Sequence, residues 1–158
     1  MNDDQVLRAQ LSRLLEKSDA HTGFDEAVSG IEPAMRGVRP ERLTHSAWEL
    51  VEHIRIAQRD ILDFCLPAEY VERAWPDEYW PEGPEPPSAE AWEEAIAAIH
   101  ADRSEFQRLV EDPEIDLTAV VPHGTTQTYL REVLVEADHM AFHLGQVLTV
   151  KRLVGGLA

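Results

Sequence analysis

Ser46-Ala47-Trp48-Glu49-Leu50-Val51-Glu52-His53-Ile54 opens with the Ser-x-x-Glu pattern of a capping box. In that motif the serine hydroxyl and the glutamate carboxylate each accept a backbone N–H that a helix start leaves without a partner. The apolar residues Ala47, Leu50, Val51, Ile54, Ala57, Ile61, Leu62 and Cys65 then keep to one side of a 3.6-residue repeat, while Glu52, Arg55, Arg59 and Asp63 take the other. A helix is expected over Ala47 to Leu66, ended by Pro67.

Upstream, Val6, Leu7, Leu11, Leu14 and Leu15 carry the same period, which gives a first helix from Asp3 to Lys17. Ser18-Asp19 can cap a second piece in which Phe24, Ala27, Val28 and Ile31 share a face; whether the two form one kinked helix is left open. Gly30, Pro33, Gly37 and Pro40 mark the connection to the capped helix. Downstream, Pro67 to Pro87 holds six prolines together with Tyr70, Trp75, Tyr79 and Trp80. That is long for a structureless loop and too aromatic for a disordered linker, so it is expected to pack as a cover on the bundle, with room for a short helical turn. Ser88 caps a further helix to Val110, whose apolar positions are Ala91, Trp92, Ala95, Ile96, Ile99, Phe106 and Leu109. After Pro113, Pro122 and Gly124, Thr126 opens a last helix to Val154, ~42 Å long. Lys151 and Arg152 suit its C-terminal dipole, and Gly155-Gly156 stops it. No segment alternates with period two. The chain is expected to be all-α, a four-helix bundle with long connections, and one domain over 1–158.

Composition narrows the function. A chain of 158 residues can bury roughly 70% of its unfolded surface without staples. Its net charge of −16 repels nucleic acid and anionic lipid surfaces. No run approaches the ~18 apolar residues of a membrane span. One cysteine and no basic-then-apolar leader make a cytoplasmic location the expectation. A serine elbow, a glycine-rich phosphate loop and a cysteine pair are all missing, which removes the common hydrolase, nucleotide and iron–sulfur chemistries. Cys65, in an apolar stripe without a basic neighbour, is read as core packing.

Chemistry points to Asp138-His139-Met140-Ala141-Phe142-His143-Leu144-Gly145-Gln146. At 100° per residue His143 lies about 40° and Gln146 about 20° from His139, on a face shared with Val135, Phe142 and Val150. Two imidazoles one turn apart can reach one ion, and nitrogen donors suit zinc, nickel, copper or iron. His53 stands at the edge of the apolar stripe of its own helix. Met140 occupies the position where a zincin carries its glutamate base, so a base must come from elsewhere. Glu49, one turn before His53, and Glu136, one turn before His139, are candidates as base, ligand or outer-sphere partner. The plainer readings are a capping glutamate, a surface glutamate and, for Gln146, a packing hydrogen bond. His45, His100 and His123 read as loop or exposed residues, and His21 as ambiguous.

The segments His45–Ile54 and Ala137–Gln146, with Leu153-Val154-Gly155 at the end, resemble the DinB-like family, also called YfiT-like metal-dependent hydrolases. The likeness covers most of the chain in helix order. It implies an up-down-down-up four-helix bundle, usually dimeric, with a divalent metal held by His53, His139 and His143. Tyr79-Trp80-Pro81 resembles one branch of that family. Relatives of this kind use low-molecular-weight thiols in transfer and isomerisation, so the resemblance implies a zinc- or nickel-dependent hydrolase or S-transferase acting on a small molecule. The alternative is a non-catalytic metal-binding or stress-associated interaction protein on the same bundle. Leu134, Ala141, Leu144 and Leu148 on the last helix are candidates for a homodimer face.

Overall fold

The computed structural model describes residues 1–16 and 19–155. Among them are five α-helices: α1 (Asp3–Glu16), α2 (Phe24–Val28), α3 (Ala47–Cys65), α4 (Ala91–Glu111) and α5 (Tyr129–Val154). No strand forms among the described residues; the isolated bridge between Val120 and Thr128 is the extent of β pairing. Among the described residues no helix is long and apolar enough to cross a membrane.

The capping box forms as expected, with Ser46 Oγ accepting the Glu49 amide at 3.2 Å and Glu49 Oε2 accepting the Ser46 amide at 2.8 Å. Two other helix starts differ from expectation. α5 begins at Tyr129 with Thr128 as its cap, because the chain before it is already committed. Val121 donates to the Gln127 carbonyl, Tyr129 donates to Ala119, and the Gln127 side chain accepts the amides of Thr125 and Thr126. α4 begins at Ala91 because Ser88 to Glu90 form a turn, though Ser88 Oγ still accepts the Ala91 amide. α2 is separate from α1 and follows Gly23; Asp19 pairs with Arg13 at 2.6 Å. Lys17, Ser18 and Gly156 lie outside the described residues.

Helix directions follow from which residues meet. Along α3 and α4, Gln58 donates to the Ile99 carbonyl and Arg59 bonds Asp102, so numbers rise together and the two helices are parallel. Along α3 and α5, Leu50 lies by Val150 and His53 by His143 and His139, so these are antiparallel. Arg8 bonds the Val110 carbonyl and Gln107 the Ser12 carbonyl, which sets α1 against α4. The result is an up-down-down-up bundle in the spatial ring order α1, α4, α3, α5. Arg8, 9% exposed, also locks the end of α4 by donating to the carbonyls of Val110, Asp112 and Ile115 at 2.7–2.9 Å. A guanidinium there satisfies carbonyls that the helix end leaves open.

Two apolar clusters fill the interior. One joins Phe24, Trp48, Ile54, Trp92, Ile99 and Val147; the other joins Leu11, Leu62, Phe106, Val110, Leu117 and Val133. Cys65 is buried in the second, and burial pushes its thiol up to about 12, as packing rather than nucleophilic use requires. α3 is wrapped more fully than its stripe suggested. Glu52, Arg55, Arg59 and Asp63 are half-buried and paired, Arg55 with Glu52 and Arg59 with both Asp63 and Asp102.

The long connection packs on the bundle at Tyr70 and again over its second half, but not between them. Residues 71–78 are exposed, Val71 and Trp75 by 76% and 72%, so the expected packed cover fails there. From the helical turn Asp77–Tyr79 onward the chain is anchored. Asp60 on α3 accepts the Tyr79 hydroxyl at 2.6 Å and the Tyr70 hydroxyl at 3.3 Å, and Ser46 Oγ bonds the Pro84 carbonyl at 2.6 Å. Glu85 passes so near Gly37 that a Cβ there would meet its Cγ at 2.3 Å. This anchoring delivers Tyr79 and Trp80 to the middle of α3.

Candidate metal centre

His53 is held by the connection that crosses it. Its Nδ1 lies 2.7 Å from the Tyr79 carbonyl, which can only accept, so Nδ1 carries the proton and Nε2 presents a lone pair. The indole of Trp80 lies flat on the imidazole, with ring centroids 3.9 Å apart and planes 2° from parallel. On α5, His143 Nδ1 donates to Gln146 Oε1 at 2.7 Å, one turn on, which again leaves Nε2 bare. Carbonyl and amide oxygens are the usual outer partners that fix the tautomer of a metal-binding histidine.

The Nε2 atoms then meet. His53 Nε2 is 3.1 Å from His143 Nε2 and 3.1 Å from His139 Nε2, and the three donor atoms all lie within 4.8 Å of one another. Between His53 and His143 this places lone pair against lone pair, because both protons are held on the far nitrogens. His139 has its Nδ1 buried without a partner, so it can relieve one contact by donating from Nε2. The other contact stays unrelieved without a cation. Metal–nitrogen bonds of about 2.1 Å at octahedral to tetrahedral angles separate donor atoms by about 3.0–3.4 Å, a range that holds both separations from His53. These three residues could hold a metal ion.

Protonation states agree. Burial holds the His53 imidazole below its ordinary 6.5, against the pull of the Tyr79 carbonyl, with His45 lowering it further. Burial and the neighbouring His143 and His53 bring His139 to about 3. Burial brings His143 to about 4, although Gln146 works the other way. All three are neutral at pH 7, with lone pairs free to coordinate.

The two acid candidates sit elsewhere. Glu49 belongs to the cap and to Arg39, whose guanidinium bonds both carboxylate oxygens at 2.8 and 2.5 Å. Burial raises its carboxyl, but Arg39 and Ser46 outweigh this and hold it below the ordinary value. Glu136 is no surface residue: it is 3% exposed and its Oε2 has no partner. Burial, with Asp102 nearby, pushes it up to about 8. Gln146, in contrast, stands where it orients His143. Phe142, expected on the buried face, is 63% exposed and meets the edge of His143.

His45 departs from its reading as a loop residue. It stacks on Trp80 at 4.0 Å between centroids, its Nδ1 is buried without a partner, and it lines a cavity of about 230 Å³ together with Leu50, Phe142 and Gln146. His100 pairs with Asp25 at 2.8 Å, while His123 Nε2 lies 2.8 Å from the Ala68 carbonyl; neither joins the cluster. The Tyr79 carbonyl and the Trp80 ring have no counterpart in periodicity or spacing. The one signal for them is the likeness carried by Tyr79-Trp80-Pro81.

A family model described as the DinB superfamily matches residues 18–147. No curated protein and no solved structure matches the chain.

Proposed function

Because the chain belongs to the DinB superfamily, we propose that His53, His139 and His143 bind one divalent transition metal, zinc or nickel, and that the protein is a metal-dependent enzyme acting on a small molecule. The observation that carries this is the approach of His53 Nε2 to both partners at 3.1 Å while the protons of His53 and His143 are held on their outer nitrogens. A bound divalent cation supplies one chemical effect, drawing the pKa of a water or a thiol towards neutrality. The protein's own groups do the rest. The Tyr79 carbonyl and Gln146 fix two imidazoles, Trp80 walls the site, and the cavity beside Gln146 offers a small apolar substrate somewhere to lie.

S-transfer from a low-molecular-weight thiol is favoured over hydrolysis. Glu49 is taken up by Arg39 and Ser46, and Glu136 stands apart from the three histidines' donor cluster. Hydrolysis needs a group to carry a proton to the leaving atom, whereas an ionised thiol attacking an electrophile releases its proton to solvent. The same lack of a base favours, as second reading, a metal-binding interaction protein without catalysis. Leu134, Phe142 and Leu153, exposed along α5, support a homodimer; Leu144, 2% exposed, belongs to the core instead. A cytoplasmic location fits thiol chemistry.

The test is a screen of zinc- and nickel-loaded protein with low-molecular-weight thiols and carbon electrophiles, run beside esters and amides. Thiol-dependent turnover lost in His53→Ala supports S-transfer. Ester or amide cleavage without thiol replaces it with hydrolysis, and silence in both arms with metal bound selects the non-catalytic reading.

A further inference from the structure

A cavity of about 300 Å³ that none of the three histidines lines opens between α1, α2, α4 and α5. At 100° per residue, Met140, Ala141 and Leu144 centre about 140° around the helix from His139, His143 and Gln146, whereas Glu136 lies about 20° from His143, two turns nearer the N-terminus. Leu14 and Phe24 continue its apolar wall. Within that wall Glu136 is 3% exposed, with Oε2 buried and unpartnered, although it borders a space large enough for a ligand.

We propose that this cavity is a second binding site, taking a small apolar primary amine whose ammonium group is received by Glu136. A buried acceptor left unmade is costly, and a charged N–H donor is its strongest remedy. The sign of the charge follows from the neighbours. Arg13 is paired with Asp19 at 2.6 Å, and Arg103 lies 2.5 Å from His100 Nδ1, so both guanidinium groups at the rim are engaged. The group without a partner is the acid, and Asp102 behind it adds negative potential, one of the two causes that raise the Glu136 carboxyl. The volume is about twice that of a cavity that holds benzene, which suits a hexyl or benzyl body. An ammonium ion would bind with release to solvent of the proton that Glu136 keeps at neutral pH; alcohols of the same body would gain the apolar contact without the charge, and carboxylates would bring further negative charge towards Asp102. The site needs no metal.

The test is an NMR titration of the full chain with n-hexylamine, n-hexanol and hexanoate, read at the Met140 methyl group. Hexylamine should shift that signal saturably, hexanol more weakly and hexanoate not at all. Glu136→Gln should weaken hexylamine at least about tenfold and leave hexanol unchanged. Ala141→Phe, which fills the cavity, should abolish both while metal stoichiometry stays as in the parent protein. Equal hexylamine binding by parent and Glu136→Gln overturns the proposal. So does hexanoate binding as tight as the amine's, amine binding that survives Ala141→Phe, or no amine binding by the parent.

Discussion

Glu136→Gln should alter how stability depends on pH, and in a calculable direction. The carboxyl has an ordinary value of 4.5 and sits at about 8 in the folded chain, raised by burial and then by Asp102. A folded-state value above the unfolded one means that the folded protein keeps a proton the unfolded chain gives up. The stability this group contributes is therefore fully present below pH 4.5 and is lost as pH rises through about 8. Each pH unit in that interval is worth about 1.4 kcal/mol, so the whole interval amounts to about 5 kcal/mol. Glutamine has the same shape and no proton to lose. It brings an amide that also lacks a partner, at a cost of about 1–3 kcal/mol, but that cost does not depend on pH and cancels in a comparison of two pH values. Urea unfolding of metal-free parent and variant at pH 5 and pH 9 should show the variant gaining about 4 kcal/mol relative to the parent between the two. Parallel pH profiles would mean that Glu136 is ionised and solvated in the folded protein, and its orphaned burial would then be wrong.

Three further outcomes are expected. Gln146→Leu frees the His143 tautomer and should weaken zinc binding about 10–100-fold in a chelator competition, with Gln146→Glu restoring it. Glu49→Ala removes the capping box, at about 1 kcal/mol in thermal or urea unfolding, while leaving metal affinity unchanged; a loss of metal would return Glu49 to the site. In metal-free protein the histidine cluster should cost stability in mild acid. The unfolded chain binds protons below about 6.5 that His139 and His143, held at about 3 and 4, refuse, so between pH 7.5 and 5 the parent should lose stability relative to the His139→Asn/His143→Asn double variant, in which the opposing contribution of Glu136 is the same.

The bundle was legible because each long helix announces itself locally: a capping box at Ser46, apolar residues at three- and four-residue spacing, and prolines between. The helix starts that moved did so for non-local reasons. Thr126 resembles a cap, but the pairing of residues 119–121 with 127–129 withholds the backbone until Thr128. In the site, the pair His139 and His143 was visible as a spacing, and Gln146 came with it on the same face. His53 needed the family likeness, since one histidine at the margin of a stripe carries little signal. Glu136 was misread because the stripe of α5 looked apolar on one side only; with α1 and α2 also packed against this helix, a position that looks peripheral on a wheel is interior. Trp80, His45 and the Tyr79 carbonyl come together through the clamp of Tyr70 and Tyr79 on Asp60, a tertiary contact with no local pattern.

Metal content of untagged protein is the most direct measurement. Purified without an affinity tag and analysed by mass spectrometry of the elements, the parent chain should carry one zinc or nickel ion per chain, and His53→Ala and His143→Ala should each carry almost none while remaining helical and folded. Parent protein without stoichiometric metal after exposure to either ion, or metal that both substitutions leave in place, would contradict a three-histidine centre.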